Sequence, residues 1–447
     1  MSGPEQDSQK TTASKTATTT AMTGVEKAGG EKEPGTGLPA GVLTGEQREE
    51  MRHAFLRMDS HALAAPPSKE TSIETLARYL TKPAKNDFER ARALYTWIAH
   101  NIDYDTESYF GGSDAVTTSG DLLRHRKSVC QGYANLFASL AQAAGLEAHV
   151  ISGYAKGYGY SVRRTLDFSR TDHAWNAVKI GGEYYLLDCT WGAGYVDDNR
   201  QFIRRYEDFY FLTPPDQFIY QHLPEDPKWQ LLRQLVTKQE YGKMANLRPT
   251  FFKHNLVLES HTDARIEVDE KVTIELNCPS TTLLTYNLEK DNTALPDTLG
   301  FIQRRDETVT INVVFPSTGS YTLLIYAKEE GDEGNYFFAF DYTIDVLKAA
   351  SESTGFPRAY TTFYKHCYLF SPLEGTLEAG QTYNFKISAE TAKDAALVID
   401  EEWVFLDKKG DIFSKRITIP EGKEAGIYAK FPGQTNYSGL ISFIITR

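Results

Sequence analysis

The 447-residue sequence predicts an α+β domain followed by two all-β sandwich domains. Three observations carry that reading. Apolar residues recur at helical spacing through the first third of the chain, switch to a period of two after Gly145, and keep the strand period beyond about residue 250. A short aromatic–basic segment occurs twice, one domain length apart. With 41 % hydrophobic and 24 % charged residues the composition is globular, and the chain is too long for one core at about 100–200 residues per domain.

Residues 1–46 hold almost no large apolar side chains, so burial cannot offset the entropy of ordering them and a disordered tail is expected. The α+β domain is placed at 47–247. In Glu89–His100, residues Ala93, Leu94, Trp97 and Ile98 share one helical face, and Pro83 suits the turn before it. A Gly/Ser/Thr loop follows from Gly111 to Gly120. A second helix is expected from about Ser128 to Ala144, with Leu136, Phe137 and Leu140 on its apolar side and Gly145 as its stop. Ala148–Tyr154 then reads as a strand. His173–Ile180, Gly181-Gly182 and Glu183–Thr190 read as a β-hairpin with a primed two-residue turn. The aromatic, Pro-rich stretch Gln201–Leu232 is expected to wrap back over this domain.

Strand-like runs fill the remainder: Lys271–Leu276, Val309–Phe315, Tyr321–Tyr326, Tyr336–Tyr342, Tyr383–Ile387 and Leu440–Thr446. Phe251-Phe-Lys-His-Asn255 is echoed 112 residues later by Phe363-Tyr-Lys-His-Cys367, and Val272, Ile274 and Leu276 are echoed 111 residues later by Tyr383, Phe385 and Ile387. That spacing is the size of one immunoglobulin-like sandwich. Two are therefore placed at 248–347 and 357–447, with Lys348–Gly355 as the joint.

Charge narrows the partners. Sixty acidic against 48 basic residues give a net −12, whereas nucleic acid and anionic membrane surfaces call for a basic face. No run approaches about 18 apolar residues, and the start has no apolar leader core, so neither a bilayer span nor a secretory signal is expected. The four cysteines, Cys130, Cys189, Cys278 and Cys367, show no CxxC pair and no zinc spacing. Reduced thiols in the cytoplasm, with no metal and no cofactor, are the expectation. Glu329–Gly334 and Asp197–Asn199 read as solvated turns. Cys189, Cys278 and Cys367 read as packing residues, and His254 and His366, at equivalent repeat positions, as structural hydrogen-bonders.

Cys130 is different. At a helix N-terminus it meets the positive end of the macrodipole and unpaired N–H groups, which favour thiolate. Arg124, His125, Arg126 and Lys127 add positive charge before it. In the hairpin, a two-residue turn makes paired positions sum to 363, so His173 is expected opposite Thr190, with Asp188 diagonal to it on the same face. Such an Asp–His pair is either a satisfied polar pair in a sheet or the orienting half of a nucleophile–base–acid triad.

Three blocks carry a resemblance. Ser128-Val-Cys-Gln-Gly-Tyr-Ala134, Asp172-His-Ala-Trp-Asn176 and Leu187-Asp-Cys-Thr-Trp191 resemble the core motifs of the transglutaminase-like superfamily. The resemblance implies a papain-like fold, with Cys130 as nucleophile, His173 as general base and acid, and Asp188 as the orienting carboxylate. Arg92–Trp97, Ile102–Asp105, Tyr210–Tyr220, Leu223–Leu232 and the β-repeats extend the likeness to the family of kyphoscoliosis peptidase and hillarin-type proteins. That family implies an intracellular protein, often cytoskeletal, whose partners are protein substrates or cytoskeletal proteins. It leaves open a cysteine peptidase, a protein cross-linking transglutaminase or a catalytically silent scaffold. Papain-like enzymes place a glutamine six residues before the cysteine as oxyanion donor; here that residue is Arg124. Tyr104 and Trp97 are the candidates for a second donor by resemblance, with Trp97 also a core residue by spacing.

Overall fold

The computed structural model describes residues 45–162, 166–350 and 355–447. Nearly all of the expected tail, and residues 351–354 of the expected joint, lie outside the described residues. None of the described helices is long and apolar enough to cross a membrane.

The helix Asp87–Asn101 begins behind Asn86, whose side chain accepts the Glu89 N–H, and it buries Leu94, Trp97 and Ile98 completely. The Trp97 indole donates to Glu70 at 3.0 Å, so this residue belongs to the core and not to the site. A second helix, Cys130–Ala143, packs beside it on one face of a five-stranded antiparallel sheet. Gly132 lets the segment before this helix lie close against its first turn. A Cβ there would sit 2.0 Å from Ser128 Oγ and 3.0 Å from the Val116 carbonyl.

Strand order in the sheet is Phe211–Thr213, Glu183–Leu187, His173–Ile180, Ala148–Ala155 and His222–Pro224. The hairpin keeps the expected register: Ile180 pairs with Glu183 and Asn176 with Leu187. Gly181 and Gly182 take φ of 61° and 95°, the left-handed pair a primed turn needs. The expected pairing beyond that point does not form. The strand stops at Leu187, Asp188 donates its N–H to the Tyr210 carbonyl at 2.9 Å, and Cys189–Ala193 coils into a short helix. His173 is paired with Gly153 and not with Thr190. The stretch 201–232 does return to the domain, but as structure within it. It supplies the two outer strands and so covers both edges of the sheet. The helices bury Leu94, Trp97, Phe137 and Leu140 against Val178 and Leu187 on one face. The other face closes over Ile151, Trp175, Leu186 and Phe218.

Two pairs of sheets follow. In the first, a four-stranded sheet with Lys271–Asn277 and Thr308–Val314 at its centre faces a five-stranded one built on Gly319–Glu329 and Phe337–Val346. Val272, Ile274 and Leu276 point inward, as their period of two requires. In the second, Thr382–Ala389 and Ile412–Thr418 face a six-stranded sheet around Glu424–Lys430 and Ser438–Thr446. The repeated aromatic–basic motif is a short helix at the head of each unit, Pro249–Lys253 and Thr361–His366. His254 bonds Thr282 Oγ1 at 3.2 Å, whereas the His366 ring packs on Phe431, so only the first follows the expected hydrogen-bonding role. Cys278 and Cys367 are buried in these two cores.

The first sandwich is fastened to the α+β domain by polar bonds. At the end of the α+β domain, just before the sandwich, the Met244 carbonyl accepts from fully buried Lys156 at 2.7 Å, and burial, reinforced by nearby Arg248, brings the pKa of Lys156 down to about 7. The Arg248 guanidinium donates to the Lys156 carbonyl at 3.1 Å, and Lys253 pairs with Glu207 at 2.5 Å.

Candidate active site

Asp188 is the hub. As the residue before a short helix it accepts the N–H groups of Thr190 and Trp191 on Oδ1, at 2.7 and 3.1 Å. Its Oδ2 accepts from two imidazoles, His173 Nε2 at 2.7 Å and His222 Nε2 at 3.0 Å. The aspartate side chain has no solvent exposure. Burial alone would raise its pKa, but the His173 charge and hydrogen bond, followed by the His222 bond, outweigh that and hold the carboxyl well below the usual range. For His173, burial disfavours the charged ring; Asp188 and then Cys130 reverse this and push it up to about 10. His222 stays neutral: burial, with the nearby His173 charge, overcomes Asp188 and brings it down to about 4. With Nε2 committed to Asp188, His173 has Nδ1 left for a second partner.

Cys130 is the first residue of its helix and is half-buried. Val129 before it provides no side-chain cap. The sulfur is near enough to the His173 imidazole to add to its basicity, and Tyr104 and Tyr109 are also close to it. Three of the four basic residues that precede Cys130 are paired with carboxylates. Arg124 pairs with Asp121, Arg126 with Glu70 at 2.7 Å, and Lys127 with Glu107 at 2.9 Å. The helix start is a fixed source of positive potential at the sulfur. Cys189 is buried in the helical core, although it sits on a helix and not on the expected strand.

His222 was not among the residues singled out in the sequence. It stacks on Phe218 at 4.0 Å and lies beside Trp191 and Trp175, at 4.3 and 5.1 Å. His173, Asp188 and His222 offer ligand atoms within 4.8 Å of one another, which raises the question of a metal. The geometry answers against an ion between them. Ligands about 2.0–2.2 Å from zinc in a tetrahedron stand more than 3 Å apart, and the His173–Asp188 separation of 2.7 Å is that of a direct hydrogen bond.

His173 opens onto a cleft of about 570 Å³. Its walls include Tyr104, Asp172, Thr190 and Trp191 from the α+β domain, and Arg248 and Phe338 from the first sandwich. The segment 201–232 borders this opening through Phe202, Arg205, Glu207 and Tyr210 and leaves it open.

Fold and site together define a transglutaminase-like α/β domain followed by an immunoglobulin-like domain and a mostly β-strand C-terminal region. Residues 74–189 match the family model of the transglutaminase-like superfamily, and residues 238–357 that of the KY-like, immunoglobulin-like domain. The chain is similar to kyphoscoliosis peptidase of Mus musculus, 32 % identical over 293 residues, covering 65 % of this chain and 43 % of that protein. It is also similar to hillarin of Drosophila melanogaster, 27 % identical over 299 residues, covering 61 % and 36 %. It therefore spans less than half the length of these relatives. Among solved structures it resembles a crystal structure of a TGase, with 15 % identity, 37 % of each chain covered and a TM-score of 0.21.

Proposed function

We propose that the chain is a thiol enzyme, a cysteine peptidase acting through an acyl-enzyme on intracellular, cytoskeletal protein substrates. What supports this reading is an imidazole held by a buried carboxylate at 2.7 Å, made more basic by that carboxylate and by the helix-heading Cys130, and open to a cleft. In this reading His173, held as the imidazolium by Asp188, keeps on Nδ1 the proton taken from Cys130, and the sulfur attacks a peptide carbonyl as the thiolate. The Cys130 N–H at the helix start stabilises the oxyanion. As the C–N bond breaks, His173 returns the proton to the leaving amine. Water, deprotonated by the same nitrogen, then cleaves the thioester, and the acid leaves as the thiol reforms. An amine in place of that water would give a cross-link, so labelled-amine uptake into protein separates the two outcomes.

Iodoacetamide tests the nucleophile. Cys130 is expected to alkylate near neutral pH at least about tenfold faster than buried Cys278, and His173→Ala is expected to abolish most of that advantage. Equal rates at Cys130 and Cys278 would remove the nucleophile and leave a scaffold that acts through its β-sandwiches.

A further inference from the structure

The cleft beside His173 does not belong to one domain. One wall is the catalytic end of the α+β domain, with Asp172, His173 and Thr190. The opposite wall is the first sandwich, with Arg248, Phe337 and Phe338. Three features point to a ligand spanning both. Thr190 is 5 % exposed, lines the cleft, and its hydroxyl has no hydrogen-bond partner among the described residues. The buried Arg248 Nε–H likewise finds no acceptor among them. Arg205, also on the lining, faces rings and, among the described residues, no carboxylate. Its guanidinium lies 5.0 Å from the Tyr195 ring centroid and 5.9 Å from that of Phe337. Unsatisfied buried donors and a guanidinium resting on aromatic faces are groups that gain by meeting an acceptor.

The charges also have a direction. Glu207 is neutralised by Lys253 at 2.5 Å, and Asp172 is beside His173 in the chain and already accepts the Ala155 N–H at 2.9 Å. The sandwich end of the cleft is left positive by Arg205 and Arg248, although the whole chain carries −12. The same end is aromatic: Tyr195 is 46 % and Phe337 47 % exposed.

We propose that the first sandwich forms part of the substrate site, and that the cleft binds an extended peptide segment in which an aromatic side chain lies against Tyr195 and Phe337 and an adjacent acidic side chain pairs with Arg205 and Arg248. This inference rests on the peptidase reading above and names its substrate class. Its specificity is shared between the α+β domain, through Tyr195 and Arg205, and the sandwich, through Arg248 and Phe337.

The test is binding, measured with Cys130→Ala in the full chain so that no peptide is consumed. Fluorescein-labelled Gly-Gly-Phe-Glu-Gly-Gly is compared by anisotropy with the same peptide carrying Lys for Glu, and with one carrying Ala for Phe. The first is expected to bind at least about tenfold more tightly than either, the loss for one charged or aromatic contact. Arg205→Glu, an exposed position, is expected to reverse the Glu-over-Lys preference, and Phe337→Ser to remove the Phe-over-Ala preference. An unchanged thermal midpoint shows that each variant is folded. Equal binding of the three peptides, no binding of any, or a charge preference that survives Arg205→Glu overturns the proposal. Because the nucleophile is absent from these measurements, such a failure leaves the Cys130 reading to its own alkylation test.

Discussion

Asp188→Asn is expected to slow acylation of Cys130 by p-nitrophenyl acetate by about 10³–10⁴-fold while the chain stays folded. The argument is one of donors and acceptors. The carboxylate accepts four N–H groups, two from the start of the short helix and two from imidazoles. An amide retains one acceptor oxygen. If that oxygen stays with Thr190 and Trp191, the amide NH₂ faces both Nε2 atoms, and each ring must present a lone pair there. His173 then carries its proton on Nδ1, towards the sulfur, and cannot take the thiol proton. The charge that supports the imidazolium is lost at the same time. Burst kinetics with the ester read the acylation rate. A variant within tenfold of the parent would reduce Asp188 to a helix cap. Asp188→Ala is a different experiment: it strands two imidazoles and two backbone donors in the interior and is expected to cost about 3–5 kcal/mol of stability.

The two histidines on Asp188 are expected to bend the stability–pH curve in opposite directions. His173 has a folded pKa of about 10 against an unfolded value of about 6.5. Its contribution is therefore complete below 6.5 and is lost as pH climbs from there to 10. His222 has a folded pKa of about 4, so the unfolded chain binds its proton first. Its contribution is complete above 6.5 and is lost as pH falls from there to 4. The curve thus peaks near pH 6.5 as far as these groups are concerned. In urea titrations across pH 4–10, His173→Gln is expected to flatten the alkaline limb and His222→Gln the acid limb, relative to the parent. Other titrating groups cancel in the difference. Parallel curves for parent and His222→Gln would mean that folding leaves the pKa of His222 unshifted.

The β-architecture was legible because side-chain period alone determines it. Lys271–Asn277 alternates outside and inside along its length, and so does Thr308–Val314. The hairpin register was legible because two glycines admit a turn few other residues tolerate. What followed Leu187 was misread for want of one signal. Asp188-Cys-Thr-Trp191 can open a helix as well as continue a strand, and the capping role of Asp188 is decided by where Tyr210 meets its backbone. His222 had no local signature at all. It lies 34 residues beyond Asp188, between two aromatic segments, and reaches the carboxylate because its strand joins the far edge of the sheet. The cleft was invisible for a related reason, since its walls come from segments as distant as Tyr104 and Phe338.

The order of strands in the central sheet bears on how such a chain can be dissected or inherited. The two outermost members, Phe211–Thr213 and His222–Pro224, come last in sequence, after every residue of the cysteine, histidine and aspartate motifs. A fragment ending just past Trp191 would keep all three motifs and still bare both flanks of the sheet, with open backbone rows that recruit other chains. Its aspartate would lose one of its two ring partners and the Tyr210 carbonyl that fixes its backbone. The smallest self-sufficient piece is therefore larger than the motifs suggest, and shuffling of this unit among proteins has to carry the trailing thirty-odd residues with it.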